Sequence, residues 1–210
     1  MRIILLGMPG AGKGTQAQII EEELAIANIS TGAILREVSK SKSDLGQKVQ
    51  SYLNSGQLVP DEIIIEMLVQ RISKDDCNNG FILDGFPRNI EQAKSLDQAG
   101  VSIDLVIYLK ILEEQIIERM SGRRIHLASG RSYHTTFNPP KVDGKDDLTG
   151  EDLIQRSDDK PDVIRKRLEV YFNETEPMLD FYKNRDIQFH EIDASESVKA
   201  VTEKILKIIN

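Results

Sequence analysis

A short apolar run that leads straight into a glycine-rich loop constrains the fold of this chain most. Residues 2–6 read RIILL and residues 7–15 read GMPGAGKGT, and a helical pattern runs from Lys13 to Leu24. A strand that turns through glycines into a helix brings unpaired backbone N–H groups and the positive helix end to one point. The opening segment therefore predicts a phosphate-binding loop, with Lys13 among the phosphate oxygens.

The loop departs by one position from the common pattern Gly-x-x-x-x-Gly-Lys-[Ser/Thr]. Gly14 follows Lys13, and the first hydroxyl belongs to Thr15. A simple turn between strand and helix needs one glycine rather than several with a lysine among them, so phosphate binding is the preferred interpretation. A hydroxyl that contacts Mg²⁺ would then come from Thr15.

Apolar runs alternate with helical patterns along the rest of the chain. Strands are predicted at 2–6, 81–84, 104–109 and 186–193, and helices at 13–24, 91–99, 113–121, 161–183 and 197–209. Near-continuous apolar strands separated by helices are typical of a parallel sheet covered on both faces. We therefore predict a doubly wound α/β fold.

Two stretches are too long to be simple connections. Residues 30–59 carry helix starts and breaks, which predicts a helical insertion, and residues 122–159 are rich in turns, which predicts a small lid of hairpins. The core is then expected to comprise 1–29, 60–121 and 160–210. Long insertions near a phosphate loop are commonly mobile covers, although surface elaboration is the alternative.

Composition excludes several classes of protein. The 210 residues fit one main domain, and 34 acidic against 27 basic residues give a net charge of −7, which disfavours a nucleic-acid-binding face. The single cysteine, Cys77, excludes an internal disulfide and a multi-thiolate metal site. No apolar segment is long enough to cross a bilayer or to form a signal peptide, so we expect a cytoplasmic protein without membrane contact.

The segment FILDGFPR supplies the second chemical element. A buried strand that ends in Asp84 brings a carboxylate to the C-terminal edge of the sheet, where it could hold Mg²⁺ through water beside Lys13. Taken alone, a turn aspartate is equally consistent with the pair Asp84-Gly85. No glutamate follows Asp84 to activate water, which argues against water as the phosphoryl acceptor.

Arginines form the third element. Guanidinium groups suit phosphate oxygens and offset the repulsion between two anionic nucleotides. The candidates are Arg36, Arg88, Arg119, Arg123, Arg156 and Arg167, whereas Arg124, Arg131 and Arg165 are expected to be solvated surface residues.

The motifs GMPGAGKGT, STGAILR, LVPDE, DGFPR with Gln92, GRR and RSDDKPDVIRKRL together resemble the adenylate kinase family, from the first residue to about Glu176. In that family Gly14 is normal and Thr15 supplies the hydroxyl. The resemblance implies the reaction MgATP + AMP ⇌ MgADP + ADP, with ATP, AMP and ADP as ligands and Mg²⁺ entering with ATP. Because the sites are then complete in one chain, we expect a monomer.

The resemblance also implies roles for individual residues. ATP would contact Gly10, Ala11, Gly12, Lys13, Gly14, Thr15, Arg119, Arg123, Ser132, Tyr133 and Glu196. AMP would contact Thr31, Arg36, Gln57, Leu58, Val59, Gly85, Phe86, Pro87, Arg88, Gln92, Arg156 and Arg167. Transfer itself would depend on Lys13, Asp84, Arg88, Arg123, Arg156 and Arg167.

Some members of the family hold the lid with zinc on four cysteines. The matching positions here are His126, Ser129, Asp146 and Thr149, and hydroxyls are poor zinc ligands. We therefore expect a hydrogen-bonded quartet and no zinc.

Two other functions stay open on the sequence. A kinase for UMP or CMP is the nearest alternative, although Thr31 and Gln92 favour adenine. A nucleotide-regulated switch is the other, although the chain has no Asn-Lys-x-Asp motif for reading guanine and carries more placed arginines than binding requires.

Overall fold

The apolar segments form strands, and helices connect them. The computed structural model describes residues 1–209. In chain order the strands are β1 Arg2–Gly7, β2 Ala27–Ser30, β3 Phe81–Asp84, β4 Leu105–Lys110, β5 Arg123–Ile125, β6 Ser132–His134 and β7 Gln188–Asp193. The helices are α1 Lys13–Leu24, α2 Thr31–Ser39, α3 Asp44–Ser55, α4 Asp61–Ile72, α5 Ile90–Gln98, α6 Glu113–Ser121, α7 Pro161–Val170, α8 Pro177–Lys183 and α9 Val198–Ile209.

Five strands pair in parallel, in the order β2-β3-β1-β4-β7. Side chains of β1 alternate between the two faces, so that Ile3 and Leu5 join one apolar core and Ile4 and Leu6 join the other. Helices α1, α6, α7 and α9 cover the first face, and α2, α4, α5 and α8 cover the second. The predicted doubly wound parallel sheet is confirmed.

One edge strand was not predicted. Strand β2 is only four residues long, and its side chains alternate between buried and half-buried, with Asn28 among them. Its pairing with β3, from Ala27 beside Phe81 to Ser30 beside Asp84, makes it a strand. This is a tertiary effect that local apolarity does not signal.

The long helix predicted over 161–183 is interrupted. Helix α7 widens into a π turn at Tyr171–Thr175, and α8 begins at Pro177. Proline has no backbone N–H and its ring clashes with the preceding turn of an α-helix, so a regular helix cannot pass through Pro177. Within the π turn, the Thr175 hydroxyl donates to the Arg88 carbonyl oxygen at 2.7 Å.

The two long insertions differ in structure. Residues 31–55 form α2 and α3, which begin at the capping hydroxyls of Ser30 and Ser43. Residues 122–159 hold the antiparallel pair β5–β6 and short bridges such as Ile125 to Ile154. The first insertion is thus mainly helical, and the second contains short antiparallel pairs.

Candidate active site

The glycine-rich loop joins β1 to α1 at the C-terminal edge of the sheet. Gly10 and Gly12 have positive φ angles of 83° and 99°, and a Cβ on Gly10 would lie 2.6 Å from Met120 Cγ. The first turn of α1 has no side-chain cap, because Gly12 occupies the cap position. Its backbone N–H groups are therefore available to an anion.

Lys13 folds back over this loop. Its Nζ donates to the carbonyl oxygens of Gly7 at 2.7 Å and Met8 at 2.9 Å. Burial lowers the pKa of Lys13 to about 8, and the neighbouring Asp84 carboxylate opposes that shift. A phosphate group placed here would favour the charged lysine further.

A cleft of about 1040 Å³ opens over the loop. The candidate residues that line it are Gly10, Ala11, Gly12, Lys13, Gly14, Thr15, Arg36, Leu58, Asp84, Gly85, Pro87, Arg88, Arg119, Arg123, Ser132, Tyr133, Arg156, Arg167 and Glu196. The cleft thus brings together residues that are far apart in the chain. Thr31, Gln57, Val59, Phe86 and Gln92 lie outside this lining.

Carboxylates orient two of the arginines. Asp159, whose side chain is fully buried, pairs with Arg123 through two hydrogen bonds, of which Nε to Oδ2 is 2.8 Å. Arg167 Nη1 donates to Asp158 Oδ2 at 2.9 Å. Sequence reasoning did not assign these aspartates a role, although they lie in the motif RSDDKP that carried the resemblance.

The other clustered arginines have few partners for their charge. Burial, together with the nearby charges of Arg36 and Arg123, lowers the pKa of Arg156 to about 9, and its buried Nε has no hydrogen-bond partner within residues 1–209. Burial lowers the pKa of Arg88 to about 10, with Arg167 as the next cause. Crowded, desolvated cations are stabilised by an anionic ligand, so the cluster suits phosphates.

Thr31 lies beside the strand end that carries Asp84. Its hydroxyl donates to the Gly85 carbonyl oxygen at 2.9 Å and lies 3.3 Å from that of Asp84. Gly85 has a φ of 80°, and a Cβ there would lie 3.1 Å from Thr31 Oγ1 and 3.2 Å from Arg88 Nη2. The close approach requires glycine at position 85.

Gln92 lies at the start of α5 and is fully buried. Its Oε1 accepts a hydrogen bond from the Arg88 backbone N–H at 2.7 Å, and its Nε2 donates to Asp61 Oδ1 at 2.6 Å. Sequence reasoning overlooked Asp61, although it belongs to the quoted motif LVPDE. Because Gln92 has no exposed surface, a ligand could reach it only if the residues that cover it shift.

The opposite end of the cleft carries groups suited to a flat ring. Arg119 Nη2 donates to the Ser195 carbonyl oxygen at 3.2 Å, and its guanidinium carbon lies 5.9 Å from the ring centre of Phe137. Phe137 lines the cleft and is 55% exposed, and sequence reasoning missed it. Glu196 also lines the cleft, but its carboxylate pairs with Lys204 at 2.8 Å.

The four matched lid positions meet in a larger polar cluster. His126 Nδ1 lies 2.8 Å from Ser129 Oγ, and Thr149 Oγ1 donates to Asp146 Oδ2 at 3.0 Å. Glu151 bonds the other imidazole nitrogen of His126. No group of three or more histidine, cysteine, aspartate or glutamate side chains in the described part of the chain is arranged to hold a metal ion.

Arg131 belongs to this cluster, contrary to the expectation of a solvated surface residue. Its Nε and Nη2 donate to the two oxygens of Asp146, whose side chain is fully buried. Tyr133 adds a hydroxyl that donates to Asp146 Oδ1 at 2.9 Å. Arg131 immediately precedes β6 and Tyr133 lies within it, two residues later, so both side chains point to the same, inward side of the strand. The turn-rich sequence does not reveal this.

Across residues 1–209, every helix is too short or too polar to span a lipid bilayer.

Comparisons with known proteins agree on one family. The family model described as "Adenylate kinase" matches residues 5–187. An adenylate kinase of Francisella philomiragia is 54% identical over 211 residues, which cover 98% of this chain and 98% of the relative. An adenylate kinase of Francisella tularensis subsp. novicida is 52% identical over 216 residues, which cover 100% and 99%. With the loop, the cleft and the arginine cluster in place, the chain belongs to the adenylate kinase family.

Proposed function

We propose that this adenylate kinase transfers the terminal phosphoryl group of MgATP directly to AMP, in the cleft described above. The main support for this proposal is that the Lys13 loop and four arginines line the same cleft. The arginines are Arg88, Arg123, Arg156 and Arg167. Two nucleotides with their phosphates end to end concentrate negative charge at one point. A cluster of cations at one point is suited to offset that charge.

ATP occupies the end formed by α1 and the 122–159 insertion. Residues 10–15 contact its phosphates through backbone N–H groups and Lys13 Nζ. Arg119 stacks on the adenine. The Phe137 ring, whose centre lies 5.9 Å from the Arg119 guanidinium carbon, offers a second flat surface. Ser132 and Tyr133 also line the cleft, and their backbone contacts ATP. Because Glu196 is paired with Lys204, any contact it makes to the base would come from its backbone.

AMP occupies the end formed by the 30–59 insertion and the segment after β3. Arg36, Arg88, Arg156 and Arg167 reach its phosphate, and Leu58 with Gly85 borders the base. Thr31, Val59, Phe86 and Gln92 are buried and Gln57 is exposed, all outside this lining, so they contact AMP only after the insertion shifts. The backbone of Arg88 is already restrained, because its N–H donates to Gln92 Oε1 and its carbonyl oxygen accepts from the Thr175 hydroxyl.

The residues beside the loop fit a magnesium ion that arrives with ATP. A Cβ on Gly14 would lie 3.5 Å from Asp84 Oδ2, so the carboxylate faces the loop, and Thr15 lines the same cleft. Hard oxygen ligands, largely through water, are what Mg²⁺ prefers. Asp84 and Thr15 would hold it, and it would screen the phosphate oxygens during transfer.

Transfer needs no covalent intermediate on the protein. An AMP phosphate oxygen attacks the terminal phosphorus of ATP while the arginines hold both groups in line. The 122–159 and 30–59 insertions close over the substrates and exclude water, and residues 1–29, 60–121 and 160–210 remain as the core. Since both ends of the site lie in one chain, we expect a monomer, and the single buried Cys77 suits the cytoplasm.

A panel of acceptors tests this proposal. Initial rates with MgATP and AMP, UMP or CMP should give the highest kcat/KM with AMP. A higher value with UMP or CMP would assign the chain a different acceptor. Tight nucleotide binding without turnover on any acceptor would instead favour a nucleotide-regulated switch.

A further inference from the structure

The side-chain amide of Gln92 is held at both ends by protein groups. Its oxygen end meets a backbone N–H of Arg88 and its nitrogen end meets the carboxylate of Asp61. A backbone N–H can only donate and an ionised carboxylate can only accept. These two partners therefore determine which end of the amide is oxygen and which is nitrogen.

Asp61 is itself fixed in place. It is the first residue of α4, and its Oδ2 accepts a hydrogen bond from Asn89 Nδ2 at 3.0 Å. Asn89 in turn caps α5 by accepting from the Gln92 backbone N–H at 2.8 Å. Asp61, Asn89 and Gln92 thus form a closed ring of hydrogen bonds that joins the first turns of α4 and α5.

Half of the Gln92 amide remains without a protein partner in the described residues. A primary amide has two N–H groups and two oxygen lone pairs, and the ring together with Arg88 uses one of each. The remaining N–H and lone pair supply one donor and one acceptor. Such a pair can bond the edge of a purine.

A freely rotating amide would not distinguish two kinds of purine. Adenine presents a donor at its 6-amino group beside an acceptor at N1, whereas a 6-oxopurine presents an acceptor at O6 beside a donor at N1. Turning the amide over exchanges its donor and its acceptor and so accommodates either base. In this protein, rotating the Gln92 amide by half a turn would place Oε1 against the Asp61 carboxylate and Nε2 against the Arg88 N–H. Both hydrogen bonds would then be lost.

We propose that Asp61 is a positioning residue that makes Gln92 selective for adenine over 6-oxopurines. Its carboxylate keeps Nε2 on one side, so the amide offers a single donor–acceptor order to the base. This inference rests on the proposed function, in which Gln92 meets the base of AMP. Asp61 itself is not required to touch a nucleotide.

Steady-state kinetics with AMP and IMP as acceptors test the inference. In Asp61→Ala, KM for AMP should rise about tenfold with kcat changed less than about threefold, and the ratio of kcat/KM for AMP to that for IMP should fall about tenfold. Asp61→Asn can still accept from Gln92 but can also donate, so its ratio should fall only about threefold. A purely structural defect would lower kcat/KM for both acceptors equally.

Glu62→Ala is the matched control. Glu62 is the next residue, is exposed, and carries the same charge in the same first turn of α4. Its variant should keep the AMP-to-IMP ratio of the wild type, which separates the contact with Gln92 from a general effect of charge on the helix. If Asp61→Ala does not fold, Asp61→Asn carries the test.

The outcomes separate this inference from the proposed function. A wild-type ratio in Asp61→Asn or in a folded Asp61→Ala, together with a lost ratio in Gln92→Ala, overturns the role of Asp61 and leaves the AMP site intact. A wild-type ratio in Gln92→Ala overturns the assignment of Gln92 to the base, and the role of Asp61 with it.

Discussion

The Arg131 guanidinium lies against the Asp146 carboxylate, with Nε 2.9 Å from Oδ1 and Nη2 2.7 Å from Oδ2. Asp146 also accepts bonds from the Tyr133 hydroxyl and the Thr149 hydroxyl, and the Arg131 bonds are the main cause that holds its pKa far below the usual range. The 122–159 insertion therefore contains a buried charge that is balanced by side chains. Charge-assisted bonds therefore hold this part of the insertion together.

Removing the guanidinium should destabilise this insertion locally. In Arg131→Ala the Asp146 carboxylate loses its main partner, and breaking such a pair is destabilising because one charge is left uncompensated. Backbone amides of residues 122–159 should then exchange with deuterium at least about 50-fold faster, while the amides of β1 and β4 keep their protection. Hydrogen exchange followed by mass spectrometry measures both regions in one sample.

Arg124→Ala is the control for that prediction. Arg124 lies on strand β5 and, among residues 1–209, its guanidinium donates only to backbone carbonyl oxygens of Ser121 and Arg123. Its variant should exchange like the wild type. Equal exchange in Arg131→Ala and the wild type would show that the pair with Asp146 does not stabilise the insertion.

The polar cluster should make zinc unnecessary. Ser129 and Thr149 supply hydroxyls, and Arg131 occupies the carboxylate of Asp146 that a cation would need. Protein purified after growth with added zinc should contain well below about 0.1 zinc per chain by elemental analysis. One zinc per chain after dialysis would contradict this reading of the cluster.

Local patterns predicted the sheet and the loop well, because both depend on residues near one another in the chain. The run RIILL and the glycines after it indicate β1, the loop and α1 from local sequence alone. Strand β2 could not be read in this way, since its pairing with β3 rather than its own apolarity makes it a strand. The break at Pro177 was readable from proline chemistry but was not predicted.

The residues of the candidate site also fall into two groups: those that short motifs predict and those that only the fold brings together. Lys13, Asp84 and the arginines stand in short motifs, so their residue types alone indicate phosphate chemistry. Asp61, Asp159 and Arg131 act through partners 31, 36 and 15 residues away. Single-sequence patterns do not specify such pairs, because only the fold brings the two side chains together.

Asp84 should matter for turnover more than for binding. If its carboxylate holds Mg²⁺ through water, Asp84→Asn should lower kcat at least about tenfold and leave nucleotide Kd within about threefold, because the ion screens charge that develops during transfer. Stopped-flow rates and calorimetric binding measure the two quantities. Asp75→Asn, an exposed aspartate before β3, is the control, and unchanged kcat in Asp84→Asn would remove Asp84 from the mechanism.

Lys13 should impose an alkaline limit on ATP use. Its folded-state pKa of about 8 lies below the ordinary 10.5, so kcat/KM for ATP should fall as pH rises through about 8, when the free enzyme loses the charge. Between these two values the unfolded chain binds more protons, so this group makes the fold more stable as pH rises through that window. In Lys13→Arg the fall of kcat/KM near pH 8 should disappear. The same fall in both proteins would show that a group other than Lys13 causes it.

The central claim is that the phosphoryl group passes directly from ATP to AMP in a cleft that excludes water. Phosphorus NMR of purified protein with Mg²⁺, ATP and excess AMP measures this most directly, because it resolves ADP, ATP and inorganic phosphate in one spectrum. We predict two ADP formed for each ATP consumed, with no phosphate released beyond that of a protein-free sample. Phosphate accumulating at a rate comparable to ADP would contradict the claim, because water would then be an acceptor.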